Sequence, residues 1–397
     1  MTLRSRYGLI AICLLALAVA GARIALLSST LVYGPVDYGV YRGVGSYLFE
    51  GANIYAENIV GEYVPQGLPF VYTPFAAILL TPLSWLPEPL GLGVWTFLNA
   101  LALGFILASS LRYVRPNLAI KSYLLWFTVL FTGSLFSNVV AQHLIFGQIN
   151  LILVALCLAD MTRPPSRYLP RGVLLGIAAG IKLTPALFIL FFVLTARWKP
   201  ALVASATGLV TLVVSAVFLP ATTFNYFSSR LLELETVVDL GENFATSGNS
   251  SLQGISERLF ETHSLFLLAP LLVGVLIATF WLADRFIKTD DFLAATALIG
   301  VATCLLSPVS WLHHWTWAFM EIAVLARHRG AGRVCALVWV LVCLSHLTDL
   351  GDLASVAGWP PVLVELMRAS MVICALSALA LLVGETVQKK KSVDLTS

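Results

Sequence analysis

The stretch GVLLGIAAGIKLTPALFILFFVL, residues 172–194, is apolar throughout except at Lys182 and Thr184. Its 23 residues would suffice for one membrane crossing, which needs about 20. Yet Arg163, Arg167 and Arg171 precede it, and Arg197 and Lys199 follow it. Basic clusters select the cytoplasmic side of a membrane, so both ends belong inside. The run is therefore expected to form two short arms meeting near Lys182-Leu183-Thr184-Pro185. A helix broken at that depth leaves backbone groups unpaired, which is tolerated only where protein or a water-filled cavity satisfies them. A lysine at such a break is costly and marks a pathway, a pocket or a buried counter-charge.

The rest of the chain agrees with a membrane setting. Of 397 residues, 59% are hydrophobic and 11% charged, and the mean hydropathy is +0.89; soluble domains carry about a quarter charged residues. A polytopic all-α membrane protein follows, read as a single membrane domain over 1–397. The first apolar run, Leu9 to Leu31, has the basic start of a signal sequence at Arg4 and Arg6 but the length of a full span, and no obvious cleavage site. It is expected to stay as the first helix. Cysteines 13, 157, 304, 335, 343 and 374 all lie in apolar runs, where packing explains them. No metal-ligand spacing is present, and neither a metal nor another cofactor is expected.

Placing every basic cluster inside leaves two long polar connections outside, about 32–71 and 221–263, both acidic. The second contains Glu233, Glu235, Asp239, Glu242, Glu257 and Glu261. The segment 71–86, which begins VYTPFAAILLTPL, must then return to the outer face as a half-inserted helix. Together with crossings near 90–110, 121–140, 143–160, 200–220, 264–283, 292–308, 313–326, 334–350 and 362–384, about 12 membrane segments are expected. Both termini are placed in the cytoplasm, with 385–397 as a cytoplasmic tail. A rival count makes 71–86 and 172–196 full spans, but puts the basic clusters at 112–121 and 163–171 outside.

Several polar residues are not explained by membrane placement. Asp37 follows the first apolar run, among Tyr33, Tyr38 and Tyr41. Such a group suits an interfacial aromatic belt, and equally a general base whose basicity partial burial would raise. Lys182 could meet an anion such as a phosphate, or a structural carboxylate. His313 and His314, beside Trp311, Trp315 and Trp317, fit an aromatic girdle or a phosphate contact, and neighbours in sequence cannot share one helix face. Gln142, His143, Gln148 and Asn150 suit interhelical hydrogen bonds or a sugar-binding pocket. Asn243 and the run Ser247-Gly248-Asn249-Ser250-Ser251-Leu252-Gln253-Gly254 form a polar loop able to cap a substrate. Asn249-Ser250-Ser251 is also a formal glycosylation sequon.

DYGVYRGVGSYLFEGANIYA, FVYTPFAAILLTPL, FGQINLILVALCLAD, GIAAGIKLTPALFIL, GNSSLQGI and SPVSWLHHWTWAF occur in that order over about residues 30–320. Together they resemble the multi-spanning actinobacterial mannosyltransferases that use polyprenyl-phosphate mannose and make alpha-1,2 linkages, built on the C-type glycosyltransferase fold. The resemblance implies outward-facing catalytic loops, a plasma-membrane location and an active site on the extracytoplasmic face. It implies Asp37 as the catalytic base and His313, His314 and Lys182 as contacts of the donor phosphate. Tyr38, Tyr41, Tyr72, Gln148, Asn150, Asn249, Gln253 and Trp311 become candidates for the sugar or acceptor. Ser250 departs from the bulkier polar residue usual in that motif.

The implied reaction is direct inversion. A beta-linked donor would yield an alpha-linked mannose on a glycolipid or lipoglycan, such as a phosphatidylinositol mannoside or lipomannan. Membrane lipids are partners; nucleic acid is not. Polyprenyl-phosphate-arabinose-dependent arabinofuranosyl transfer is the alternative within the enzyme class. A lipid-linked saccharide transporter or flippase is the alternative outside it, although no inverted repeat is evident.

Overall fold

A computed structural model describes residues 3–28, 34–164, 166–231, 245–246, 248–260 and 265–394. Tyr33, the acidic residues Glu233, Glu235, Asp239, Glu242 and Glu261, and Asn243 and Ser247 lie outside the described residues. The chain divides into two compact units. One comprises Met1–Phe105, Leu124–Leu135 and Val140–Gly241, the other Ile106–Tyr123, Phe136–Val139 and Glu242–Ser397.

The chain order begins with α1 (Leu3–Ser28), α2 (Val36–Phe49), β1 (Ile59–Gly61), β2 (Val64–Leu68), α3 (Pro74–Leu80), a 3-10 turn at Thr81–Trp85 and α4 (Glu88–Val114). It continues with α5 (Ile120–Ser134), α6 (Asn138–Phe146), α7 (Asn150–Thr162), α8 (Val173–Ile181), α9 (Ala186–Leu194), α10 (Trp198–Phe218) and α11 (Pro220–Asn225). The remainder is α12 (Leu252–Phe260), α13 (Leu265–Lys288), α14 (Phe292–Leu306), a 3-10 turn at Leu312–Trp317, α15 (Ala318–Arg327), α16 (Ala331–Ser345), α17 (Leu347–Val356), α18 (Pro361–Arg368) and α19 (Ser370–Asp394). The sole sheet among the described residues is the antiparallel hairpin β1–β2. The described residues are thus all-α apart from this ribbon.

Among the described residues, four helices are long and apolar enough to span a membrane: Glu88–Val114, Trp198–Phe218, Leu268–Lys288 and Ser370–Gln388. The pairs α5–α6 and α16–α17, bent by 67° and 57°, raise the number to six if each is one span. This is a multi-pass membrane protein. Several segments expected to cross form shorter helices, of 13 residues in α7, 15 in α14 and 10 in α15. A straight crossing takes about 20. In α14 every residue from Leu293 to Leu305 is buried, so the helix is an all-round apolar core element.

In the first unit, α2 packs on the Thr81–Trp85 turn, the hairpin and α3, while α8 packs against α7 and α10. The polar connection at 32–71 therefore carries a helix and a ribbon. The 172–194 run is two helices separated by Lys182–Pro185, with Lys182 in extended backbone at φ −143°, ψ 138°. In the second unit, α14 packs between α13 and α15, and α17 and α18 form a helical hairpin.

Candidate active site

The broken helix needs partners for its carbonyl end, and Thr73 supplies one. Its buried hydroxyl donates to the Gly180 carbonyl and lies 3.3 Å from the Ile181 carbonyl. The same oxygen caps α3 by accepting from the Ala76 N–H at 3.2 Å. A threonine followed by proline at a helix start is a recognised capping signal. Tyr72-Thr73-Pro74 carries that signal in the sequence.

Lys182 Nζ then donates to Asn150 Oδ1 at 3.1 Å, at the first residue of α7. Asn150 Nδ2 donates to Gln148 Oε1 at 3.2 Å. The same amide oxygen is 3.3 Å from both the Tyr41 and the Tyr72 hydroxyls, which are themselves 2.7 Å apart. Each phenol has one proton, so one tyrosine donates to the other and that one to Gln148. The oxygen of Gln148 is thereby occupied, and its amide group faces the Asp37 carboxyl, where it favours the ionised form. A continuous polar path runs Asp37, Gln148, Asn150, Lys182. The Lys182 ammonium also lies 5.4 Å from the ring centre of Tyr72, within cation–π range.

Asp37 occupies the first turn of α2 and is half-buried. Loss of water around it pushes its pKa up from 3.8 to about 6, against the lowering effects of the Gln148 hydrogen bond and the Lys182 charge. Burial pushes the Tyr41 and Tyr72 phenols well above their usual range, and the Asp37 charge adds to this. Both therefore remain proton donors at neutral pH. A carboxylate of moderate basicity beside a fixed amide and two neutral phenols can accept a proton from an incoming hydroxyl.

One turn holds this arrangement together. After α6 the chain enters the left-handed region at Gly147, φ +69°, and Gln148 N–H bonds back to the His143 carbonyl at 3.0 Å. This is a glycine-dependent helix stop. A Cβ at Gly147 would stand 2.6 Å from Tyr38 Cβ and 3.3 Å from Pro35 Cβ. The turn thus lies directly against the start of α2. Trp95 Nε1 donates to the Gly147 carbonyl at 2.7 Å, and its ring lies 5.5 Å from that of Tyr41. His143 is fully buried and paired with Asn99 Oδ1 at 2.9 Å, an interhelical bond. Tyr38 is also fully buried, its ring turned toward Tyr63 and its hydroxyl toward Gly91. It walls the site and takes no part in the polar path.

A second contact fixes α7 and α8 at their far ends. Asp160 is fully buried; its carboxylate accepts from Gly172 N–H at 2.5 Å, Leu174 N–H at 3.2 Å and Arg163 at 3.0 Å. It caps the start of α8 while Asn150 meets the residue after its end. Nothing in the apolar run around Asp160 distinguishes it in sequence from a residue at a span's edge.

In the second unit the GNSS segment and the SPVS segment close on each other. Ser310 N–H donates to Asn249 Oδ1 at 3.0 Å, and Asn249 Nδ2 donates to the Pro308 carbonyl at 3.0 Å. Ser250 N–H donates to the Ser310 carbonyl at 2.7 Å, and Ser251 Oγ to the Pro308 carbonyl at 2.9 Å. Arg258 anchors the loop through the Thr246 and Asn249 carbonyls, each at 2.9 Å, and is itself held by Glu365 at 2.8 Å. Asn249 is fully buried, which removes the sequon from any modifying enzyme in the folded chain. Gln253 donates to Glu257 at 3.0 Å, and the Trp311 indole lies against Gly248. His313 is buried and His314 half-buried, their rings edge to face with centres 4.7 Å apart. Among the described residues no group of three metal-binding side chains occurs.

The family profile of glycosyltransferase family 87 matches residues 70–308. The chain belongs to glycosyltransferase family 87. The matched part of this family 87 chain contains Tyr72, Gln148, Asn150, Lys182 and Asn249, while Asp37, His313 and His314 lie outside it. The chain is 30% identical over 341 residues to the polyprenol-phosphate-mannose-dependent alpha-(1-2)-phosphatidylinositol mannoside mannosyltransferase of Mycolicibacterium smegmatis, covering 79% of this chain and 76% of that one. With the corresponding pentamannoside mannosyltransferase of the same organism it shares 30% over 333 residues, 82% of this chain and 78% of that one. With the phosphatidylinositol mannoside enzyme of Mycobacterium tuberculosis it shares 27% over 303 residues, 73% and 70% of the two chains. The family 87 chain is accordingly a glycosyltransferase related to the actinobacterial mannosyltransferases. No solved structure matches it.

Proposed function

We propose that this chain transfers mannose from polyprenyl-phosphate mannose to a hydroxyl of a mannosylated lipid or lipoglycan, forming an alpha-1,2 linkage with inversion. The observation that carries the reading is the Asp37 carboxyl, set beside Gln148 at the head of a polar path to Lys182. Its raised basicity supports the role of base, and the names of the relatives support the donor and the linkage.

Asp37 takes the proton of the acceptor hydroxyl as its oxygen attacks the anomeric carbon. The bond to polyprenyl phosphate breaks from the opposite face, and the electron pair leaves on the phosphate. Lys182 neutralises that developing charge, and Asn150 fixes the ammonium for it. Tyr41 and Tyr72 fix Gln148 beside the carboxylate, and the three line the space for sugar. In the second unit, His313 and His314 are assigned to phosphate contacts, with Gln253 and Trp311 at the substrate-facing loop. Asn249 serves by shaping that loop. No metal is required by this chemistry, because the leaving phosphate needs only positive or hydrogen-bonding groups.

The same reading places about 12 membrane segments in the chain, both termini in the cytoplasm and the site on the extracytoplasmic face of the plasma membrane. The two-armed form of 172–194 and the basic residues on both sides of it support that orientation. The test uses purified protein in lipid nanodiscs with radiolabelled polyprenyl-phosphate mannose and a phosphatidylinositol mannoside acceptor. Transfer is expected, and Asp37→Asn should lower it by about 10²–10⁴, the usual worth of a general base. Wild-type turnover in a folded Asp37→Asn protein refutes the assignment.

A further inference from the structure

Tyr72 and Thr73, neighbours in the chain, grip Lys182 at its two ends. The Tyr72 ring centre lies 5.4 Å from the ammonium, and the Tyr72 hydroxyl belongs to the cluster with Tyr41 and Gln148. Thr73 instead reaches the backbone from which the lysine side chain springs. Helix α8 ends at Ile181, and Lys182 N–H closes its last turn on the Ala178 carbonyl at 3.0 Å. The Gly180 and Ile181 carbonyls, further on, have no donor within the helix. A residue in the left-handed region is the common remedy, but Lys182 follows in extended backbone. The donor comes from 107 residues away: the Thr73 hydroxyl gives its one proton to Gly180 and lies 3.3 Å from the Ile181 carbonyl.

This hydroxyl is itself held in place. It accepts from Ala76 N–H at 3.2 Å while it donates, and Thr73 is only 4% exposed. Pro74 keeps the Thr73 backbone extended, at φ −68°, ψ 160°. On the other side, the Tyr55 hydroxyl donates to the Tyr72 carbonyl at 2.8 Å. Behind α8, a Cβ on Gly180 would collide with Thr211 of α10, so the helix end has no room to recoil there. We propose that Thr73 is a positioning residue for the leaving-group charge: its hydroxyl fixes the end of α8 and, through it, the place of the Lys182 ammonium. The inference rests on the role given to Lys182 above and adds what sets its position. A lysine carries its charge on a flexible four-carbon stem. With the root held through Thr73 and the tip by Asn150 at 3.1 Å, that stem is ordered before the donor arrives.

A mere helix cap would cost stability and nothing more, whereas a residue acting through Lys182 loses its effect on catalysis once the lysine is gone. Thr73→Val keeps the shape and removes the hydroxyl; Thr73→Ser keeps the hydroxyl. Each is made in the wild type and in the Lys182→Met background. Transfer from polyprenyl-phosphate mannose is then followed in nanodiscs, together with thermal unfolding. In the wild type, Thr73→Val should lower kcat about tenfold, short of the ~10²-fold that a 1 Å misplacement costs, because Asn150 still holds the ammonium. The acidic limb of kcat/KM should move to higher pH, the direction in which Asp37 goes when the Lys182 charge recedes. Thr73→Ser should stay within about twofold of the wild type, the two hydroxyls being comparable caps. In the Lys182→Met background, Thr73→Val should change kcat by less than about twofold, while lowering the unfolding temperature there as much as in the wild type.

Wild-type kcat in a folded Thr73→Val protein overturns the proposal, as do equal losses in both backgrounds or a Thr73→Ser protein as impaired as Thr73→Val. If Thr73→Val does not fold, Thr73→Cys, whose thiol is a weak donor, goes through the same cycle and is judged by the same outcomes. A wild type that transfers mannose from no such donor overturns the function proposed above and this inference together, whereas normal wild-type turnover with additive losses overturns the positioning role alone.

Discussion

Replacing Asp37 with Asn should destroy activity and at the same time stabilise the protein. Burial raises this carboxyl from 3.8 to about 6, a shift of two units, and each unit corresponds to about 1.36 kcal/mol of differential interaction. Full conversion would give about 3 kcal/mol; because Asp37 is only half-buried, solvent screening reduces the expected effect to about 1–2 kcal/mol. The sign follows from linkage. Below 3.8 the carboxyl is neutral folded and unfolded, and its burial carries no charge penalty; above about 6 it is ionised in both states and the penalty is complete. Asparagine keeps the shape and the capacity to bond Gln148 but never bears the charge. The unfolding temperature of Asp37→Asn should therefore exceed that of the wild type by a few degrees at pH 8, with the difference shrinking as pH falls through the window between 6 and 4. Thermal unfolding followed by tryptophan fluorescence in detergent, at a series of pH values, measures this directly. A variant less stable than wild type at pH 8, or a difference independent of pH, would falsify the picture of a desolvated base.

The same carboxyl should impose an acidic limb on kcat/KM, half-maximal near pH 6, since only the ionised form accepts a proton; Lys182→Met removes a charge that lowers this value, so the limb should move to higher pH while KM for the donor rises. Gly147→Ala forces a side chain into a left-handed residue 2.6 Å from Tyr38 Cβ, and a strain of about 1–3 kcal/mol should lower both the unfolding temperature and kcat. Asn249→Ala leaves the buried Ser310 N–H without its acceptor, a loss of roughly 1–3 kcal/mol that unfolding experiments should register, with a loosened loop seen as faster proteolysis after Arg258.

The broken helix was legible because charge and length conflict there: basic residues at both ends forbid a single crossing of residues 172–194. The pairing of Asp37 with Lys182 was only half legible. Sequence marks each as an unusual charge, but the groups that join them, Gln148 and Asn150, look like ordinary helix-bonding amides until the Gly147 turn folds them inward. The helix Val36–Phe49 escaped for a different reason. Glycines at 39, 43 and 45 lower its intrinsic propensity, whereas Gly45 in fact permits close packing, its missing Cβ lying 2.6 Å from Ser84 Oγ. Tertiary contact overrides propensity there. Asn249 stands in a polar loop as a candidate sugar or acceptor contact, and both ends of its amide bond the 308–310 backbone. Composition cannot separate a residue that touches a sugar from one that shapes the loop around it.

The two-ended attachment of α7 to α8 limits how the chain can change length. Asn150 and Asp160 are ten residues apart, and so are their partners Gly172 and Lys182. Two antiparallel helical stretches of equal length, about 15 Å each, close into a rectangle whose corners are hydrogen bonds. One residue inserted in either side turns everything beyond it by about 100° and advances it by about 1.5 Å, so a corner must open and the ammonium leaves its place. Residues 163–171, outside the rectangle, bear no such restriction. Relatives that keep the lysine should differ in length in that connection and not between its corners, so that the place of a buried-path charge is set by counting residues along two helices.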